Sequence, residues 1–238
     1  MKRSKKLIIA ILVVILIGLI AVIGGTFIDG PDLTLENKDI LVLASDKYEQ
    51  PNGGVDMAFM VHLENGTISN YTPIYPGGKV HPSQPAPGNL GGNMRLHDCL
   101  WNGVENGMQY AKEIVKATTG MEADAVVVVY DEGLDNILDS VRPIEVDGVV
   151  TNLSATDIIR ENDNYAGYSG NGNANGNMSR ADAVMVLVNA ISNVAKDPAK
   201  KSTMIQAALK EYSNGNIVMT PQGSFTRLLA TKGFETLT

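Results

Sequence analysis

Residues 7–25, LIIAILVVILIGLIAVIGG, run for nineteen positions without a charge. As an α-helix rising about 1.5 Å per residue, such a run spans the hydrocarbon core of a bilayer. It has no polar face, which argues against a helix buried in a soluble core. A cleaved signal peptide has a shorter apolar region and a small-x-small cleavage site, and IGGTFIDG matches that pattern weakly. The preceding MKRSKK carries four basic residues, and basic flanks face the cytoplasm. The expected layout is a cytoplasmic tail at 1–6, a single-pass transmembrane anchor at 7–25 and a linker at 26–38. Residues 39–238 then form one extracytoplasmic domain, long enough to bury a sizeable core.

Four of the 19 basic side chains lie in that tail, leaving 15 against 26 acidic ones. A surface so acidic is a poor partner for nucleic acid or anionic headgroups, and no nucleic-acid partner is expected. One cysteine, Cys99, excludes an intramolecular disulfide framework. Its apolar neighbours in LHDCLW favour a buried structural thiol over a nucleophile.

DILVLASD is an apolar run of strand length. VDMAFMVHL and TISNYTPIY flank ENG and read as a hairpin turning at Asn65-Gly66. PGGKVHPSQPAPGNLGG reads as a long loop, a length that is often functional. GVENGMQYAKEIVKATTG has apolar residues at helical spacing and a stop at Gly120. ADAVVVVYD, wholly apolar at its centre, predicts a strand covered on both faces. Helices follow over EGLDNILDSV and SATDIIREN, the second with Ser154 as its cap. Between these two helices, IEVDGVVT predicts a hairpin at Asp147-Gly148. Ser179 caps a long helix whose inner face is Val184, Leu187, Val188 and Ile191, and Pro198 opens another. NIVM is a short strand and PQGSFTRLLATKG a last helix. Strands alternating with helices define an α/β class with helices on both faces.

The sequence lacks a phosphate-binding P-loop and a GxSxG nucleophile elbow. His62, His81 and His97 have no Cys or His at zinc spacing. Two acids stand out. Asp46 ends the first strand and Asp56 opens the second, which puts both at one end of a sheet. Paired carboxylates suit Mg²⁺, which takes phosphate oxygens as further ligands; equally, turns favour Asp for local reasons. Arg160 ends one helix and Arg180 starts another, on either side of an Asn/Gly-rich run. Guanidinium groups bind phosphates bidentately, and a helix N-terminus attracts anions; the bland reading is solvated surface arginines.

The order of segments resembles the LytR–CpsA–Psr family over roughly residues 39–215. ILVLASD looks like the family's first strand, ending in a metal-ligating Asp. GGVDMAFMVHLENGTISNYTPIYPGG looks like its RSDTM strand, hairpin and SIPRD strand. NMRLHDCLWNG occupies the place of a Lys-rich segment. SATDIIREN aligns with ALAYARAR, placing Arg160 on an arginine of that motif, and NMSRADAVMVL aligns with DFGRIERQQRVL, placing Arg180 likewise. The sequence departs from the pattern at Val55, where the family has Arg, at YPGG, where the SIPRD arginine is lost, and at Asn162 and Ala183. It looks closer to a domain-of-unknown-function branch of the type found in methanogens.

The resemblance implies an α/β fold with a central mixed β-sheet and helices on both faces. It also implies a membrane-anchored extracytoplasmic protein that binds a polyprenyl-(di)phosphate-linked glycan and transfers it to a cell-envelope acceptor. In that reading Asp46 and Asp56 hold Mg²⁺, and Arg160 and Arg180 are the catalytic arginines on the diphosphate. Tyr165, Tyr168 and Arg95 bind the ligand, the tyrosines by stacking on sugar rings, and Asp163 is the candidate base. The departures support an alternative: an envelope binding or scaffold protein that keeps the fold without the transferase chemistry.

Overall fold

The computed structural model describes residues 30–164, 176–224 and 227. The 7–25 run, Tyr165 and Tyr168 lie outside the described residues, as does most of the last expected helix. Among the described residues no helix is long and apolar enough to cross a membrane.

The strands are β1 (Asn37–Asp46), β2 (Gly54–Glu64), β3 (Thr67–Ile74), β4 (Val80–Pro85), β5 (Asn93–Arg95), β6 (Ala125–Tyr130), β7 (Ile144–Val146), β8 (Val149–Thr151) and β9 (Ile217–Thr220). The helices are α1 (Val104–Thr119), α2 (Asp131–Asp139), α3 (Ala155–Asn162), α4 (Arg180–Val194) and α5 (Pro198–Ser213). Five strands form the central sheet in the order β3-β2-β1-β6-β9. Only β1 and β6 run parallel, and the other neighbours are antiparallel, so the sheet is mixed.

Local chemistry explains most elements. The β2–β3 turn has Asn65 and Gly66 both at positive φ, as a two-residue hairpin turn requires. The β7–β8 turn repeats this with Asp147 and Gly148. Gly120 closes α1 in the left-handed conformation. Ser154 and Ser179 accept from Asp157 N–H and Asp182 N–H at the starts of α3 and α4. All six residues of β6 are buried, as the strand has a neighbour on each side and a helical layer on each face.

Two apolar layers sandwich the sheet. On one face Leu41, Leu43, Met60, Val126 and Val128 pack against Met108, Ala111, Ile114 and Val115 of α1. On the other, Val42, Val61, Val127 and Val129 face residues of α2 to α5, among them Ile137, Ile158, Leu187, Ile191 and Met204.

The proline-rich stretch after β3 differs from the expected loop. It folds into the small β4–β5 sheet. A two-stranded ribbon tolerates Pro82 and Pro85 because an edge leaves N–H positions unused by the ladder. His81 pins this ribbon to α1. Its Nδ1 accepts from the Ser83 and Gln84 N–H groups at 3.1 and 2.7 Å. Its Nε2 therefore carries the proton donated to Glu113, 2.7 Å away.

Candidate functional site

The face under α2 to α4 is not filled. A cavity of about 1020 Å³ opens there between the sheet and the helices. Its walls are apolar: Val42, Met57, Phe59, Val127 and Val129 from the sheet, with Leu134, Ile159, Val184, Leu187 and Val188 from the helices. The charged lining residues are Asp46, Glu49, Asp56, Arg95, Asp131 and Arg160, joined by His97. Two exposed tyrosines, Tyr48 and Tyr75, also line it.

Asp56 reaches this cavity through a β-bulge. Along β2, Ala58 and Met60 belong to the opposite, α1-facing layer, so strict alternation would send Asp56 there too. The register shifts between Ala44, which pairs with Met57, and Ser45, which pairs with Val55. Asp56 is the extra residue, and it lines the cavity beside Met57. The turn preceding β2 is held from three sides. Tyr130 donates its hydroxyl proton to Asn52 O at 2.9 Å, Ser45 donates to Gly54 O at 2.9 Å, and Gly53 N–H donates to Gln50 O at 2.9 Å. Gly53 sits at φ +100, and a side chain there would collide with Ser45 and Tyr130.

Glu49, Asp56 and His97 form a cluster in which one ligand atom from each lies within 4.8 Å of the others. His97 Nδ1 lies 3.1 Å from the Val55 carbonyl, which can only accept, so Nδ1 carries a proton. Nε2 is left facing Glu49, 3.6 Å away. Asp46 lies outside this cluster; its carboxylate accepts from Tyr48 N–H at 2.9 Å and lines the same cavity. The donor set that would accept a cation is thus one imidazole and two carboxylates, whereas the resemblance implies Asp46 with Asp56.

Arg160 sits in the last turn of α3, where a cation suits the helix dipole. The Ala155 N–H at the start of α3 donates to Asp135 on α2, fixing α3 against its neighbour. Burial, the largest influence, pushes the Asp135 carboxyl up. Arg180 is the first residue of α4, and its side chain lies outside what is described. The backbones flanking the Asn/Gly-rich run do meet: Met178 N–H donates to Asn162 O, and Asn164 N–H to Met178 O, each at 3.0 Å. Gly176 packs so close to the Asn162 backbone carbonyl that a Cβ would collide with it, which favours glycine. Asp163, beside this crossing, is 1% exposed.

The structure therefore lines one cavity with Asp46, Asp56, Arg95 and Arg160. Sequence reasoning missed Glu49, His97, Tyr48 and Tyr75. His97 carries no spacing signature because its carboxylate partners come from a turn and a bulge, far away in sequence. Cys99 is buried, as its neighbours indicated. Burial first, and then the adjacent Asp98, push its thiol pKa up, which disfavours the thiolate.

This architecture is found in solved structures. The LytR-Csp2A-Psr enzyme from Actinomyces oris aligns with a TM-score of 0.50 at 18% identity, covering 87% of this chain and 79% of that one. TagV from B. subtilis aligns at 0.50 and 18%, covering 83% and 78%. Protein gbs0355 from Streptococcus agalactiae aligns at 0.51 and 12%, covering 82% and 75%. The fold is thus that of the LytR–CpsA–Psr enzymes, in agreement with the order of segments in the sequence. The chain belongs to the family described as "Protein of unknown function (DUF4012)", whose model matches residues 35–165. No curated protein matches its sequence.

Proposed function

We propose that the chain is a membrane-anchored, extracytoplasmic protein that binds a polyprenyl-(di)phosphate-linked glycan. The observation that carries this reading is the pairing of an apolar cavity of about 1020 Å³ with lining charges of both signs, Arg95 and Arg160 against Asp46, Glu49, Asp56 and Asp131. A polyprenyl chain needs apolar walls, and a diphosphate needs guanidinium donors. In this reading the chain of isoprene units lies between the sheet and α4, and Arg160 holds the phosphate oxygens; Arg180 is assigned to the same diphosphate. In the form the resemblance implies, Asp46 and Asp56 would hold Mg²⁺, which would neutralise charge at the diphosphate. Tyr165 and Tyr168 remain assigned to the sugar. The 7–25 run anchors the domain beside the bilayer that holds the carrier.

Transfer of the glycan to an envelope acceptor is the catalytic extension of this reading. It would rest on electrostatic positioning of the diphosphate: an acceptor hydroxyl oxygen bonds to the glycan-side phosphorus, the bridging P–O bond breaks, and polyprenyl phosphate leaves. A scaffold reading has its own support. Val55 stands where the resembling family has an arginine, and it is wholly buried among apolar residues. The experiment that separates binding from transfer incubates the full-length protein with a polyprenyl-diphosphate glycan and a wall-type acceptor. Release of polyprenyl phosphate supports transfer, retention of intact ligand supports the scaffold, and no binding at all removes both.

A further inference from the structure

We propose that Glu49, Asp56 and His97 form a binding site for a borderline divalent cation of the Zn²⁺ class, in preference to Mg²⁺. The inference deepens the reading above and rests on it for the cation's purpose, phosphate binding. Its ligand set rests on geometry alone.

Three observations carry it. The first is convergence: the three ligand atoms lie within 4.8 Å of one another. Donors on one tetrahedral ion stand about 3.4 Å apart at bond lengths near 2.1 Å, so side-chain rotations that draw the three atoms in by roughly 1 Å close the site. The second is orientation. His97 Nδ1–H donates a hydrogen bond to the Val55 carbonyl, which fixes the ring and directs the Nε2 lone pair toward the carboxylates. A backbone carbonyl behind a histidine is the usual support of a metal-binding imidazole. The same Val55 donates its N–H to the His97 carbonyl at 2.9 Å, so β2 clamps the His97 backbone as well as its ring. The third is room. A Cβ on Gly54 would lie 2.6 Å from Glu49 Oε2 and 2.9 Å from His97 Cε1. Gly54 does not need positive φ, so its lack of a side chain serves this close approach.

The donor chemistry selects the ion. Mg²⁺ prefers an octahedron of oxygens and gains little from an imidazole. Zn²⁺ takes nitrogen and carboxylate oxygen together, and three protein ligands leave a position for an exogenous oxygen such as that of a phosphate. The cluster lines the same cavity as Arg95 and Arg160, where such an oxygen would be presented.

The test titrates Zn²⁺ into the full-length protein, purified in detergent, by calorimetry with Mg²⁺ as competitor. Wild type is expected to bind one Zn²⁺ that an approximately 100-fold excess of Mg²⁺ does not displace. His97→Asn keeps an amide donor for the Val55 carbonyl while removing Nε2, and should weaken Zn²⁺ at least about ten-fold. Gly54→Ala, which leaves all three ligands in the sequence, should weaken it too. His62→Asn, at a histidine paired with Asp39 elsewhere, should leave it unchanged. Equal Zn²⁺ affinity in wild type and His97→Asn, displacement by equimolar Mg²⁺, or no Zn²⁺ bound by wild type would each overturn the proposal. Polyprenyl-diphosphate binding is measured in parallel. Lipid bound without Zn²⁺ sinks the metal site alone, and Zn²⁺ bound without lipid leaves the metal site standing while the lipid reading falls.

Discussion

The two faces of the central sheet are built from the same strands and come to opposite ends. β6 contributes Val126 and Val128 to one and Val127 and Val129 to the other. Under α1, Leu41, Leu43, Met60 and Met108 interlock with at most 1% exposure. Under α2 to α4, similar side chains stop short of each other and wall a large cavity. The difference lies in what each helical layer is fastened to. α1 is drawn onto the sheet by the β4–β5 ribbon and the His81–Glu113 contact. α3 is short, is held through Asp135, and meets α4 across the Gly176 crossing. An apolar face can thus be a closed core or the wall of an open cavity without any change in residue type.

The largest expected effect breaks this comparison on its closed side. Leu43→Ala should cost about 3–5 kcal/mol, because the layer has little freedom to collapse. Leu134→Ala on the cavity wall should cost less than about 2.5 kcal/mol, since that side chain is only partly buried. Thermal unfolding followed by circular dichroism compares the two, and equal losses would erase the distinction between the faces. Filling the chamber gives the reciprocal test. Ala44→Phe should change stability by less than about 1.5 kcal/mol, because the added ring enters existing volume. It should nevertheless sharply reduce polyprenyl-diphosphate binding, read by calorimetry.

The smallest effect concerns pH. The Gln109 side chain first, and then His81, hold the Glu113 carboxyl below its usual range. A depressed carboxylate stabilises the fold above the unfolded value, and that contribution is lost as pH falls through the folded one. The melting temperature of Glu113→Gln should therefore fall less than that of wild type as the buffer is taken below the ordinary carboxylate range. Identical acid profiles would remove Glu113 from the account of why α1 stays closed.

Much of this contrast was legible in the sequence, and the rest was not for identifiable reasons. Alternation and turn chemistry marked β1, the β2–β3 hairpin and β6, and the capping serines marked α3 and α4. The inner face of α4, Val184 to Ile191, was readable from its period. The β4–β5 ribbon was hidden by its prolines. The Asp56 bulge was hidden because a register shift leaves no mark in one strand's composition. Asp46 and Asp56 were identified as acids of one sheet end, but Glu49 and His97 come to Asp56 only through the folded turn and ribbon. The volume of the cavity was legible nowhere, since Val and Leu line filled and unfilled layers alike.

The central claim is that this cavity and its charged lining receive a polyprenyl diphosphate. The direct measurement is calorimetric titration of the full-length protein with that lipid, for wild type, Arg160→Ala and Arg227→Ala. A charged phosphate contact is worth about 1.5–3 kcal/mol, so Arg160→Ala should weaken binding by roughly ten- to a hundred-fold. Arg227, which pairs with Asp32 at 3.3 Å and does not line the cavity, should matter little when replaced. Absence of binding by wild type, or equal losses in the two variants, would contradict the account.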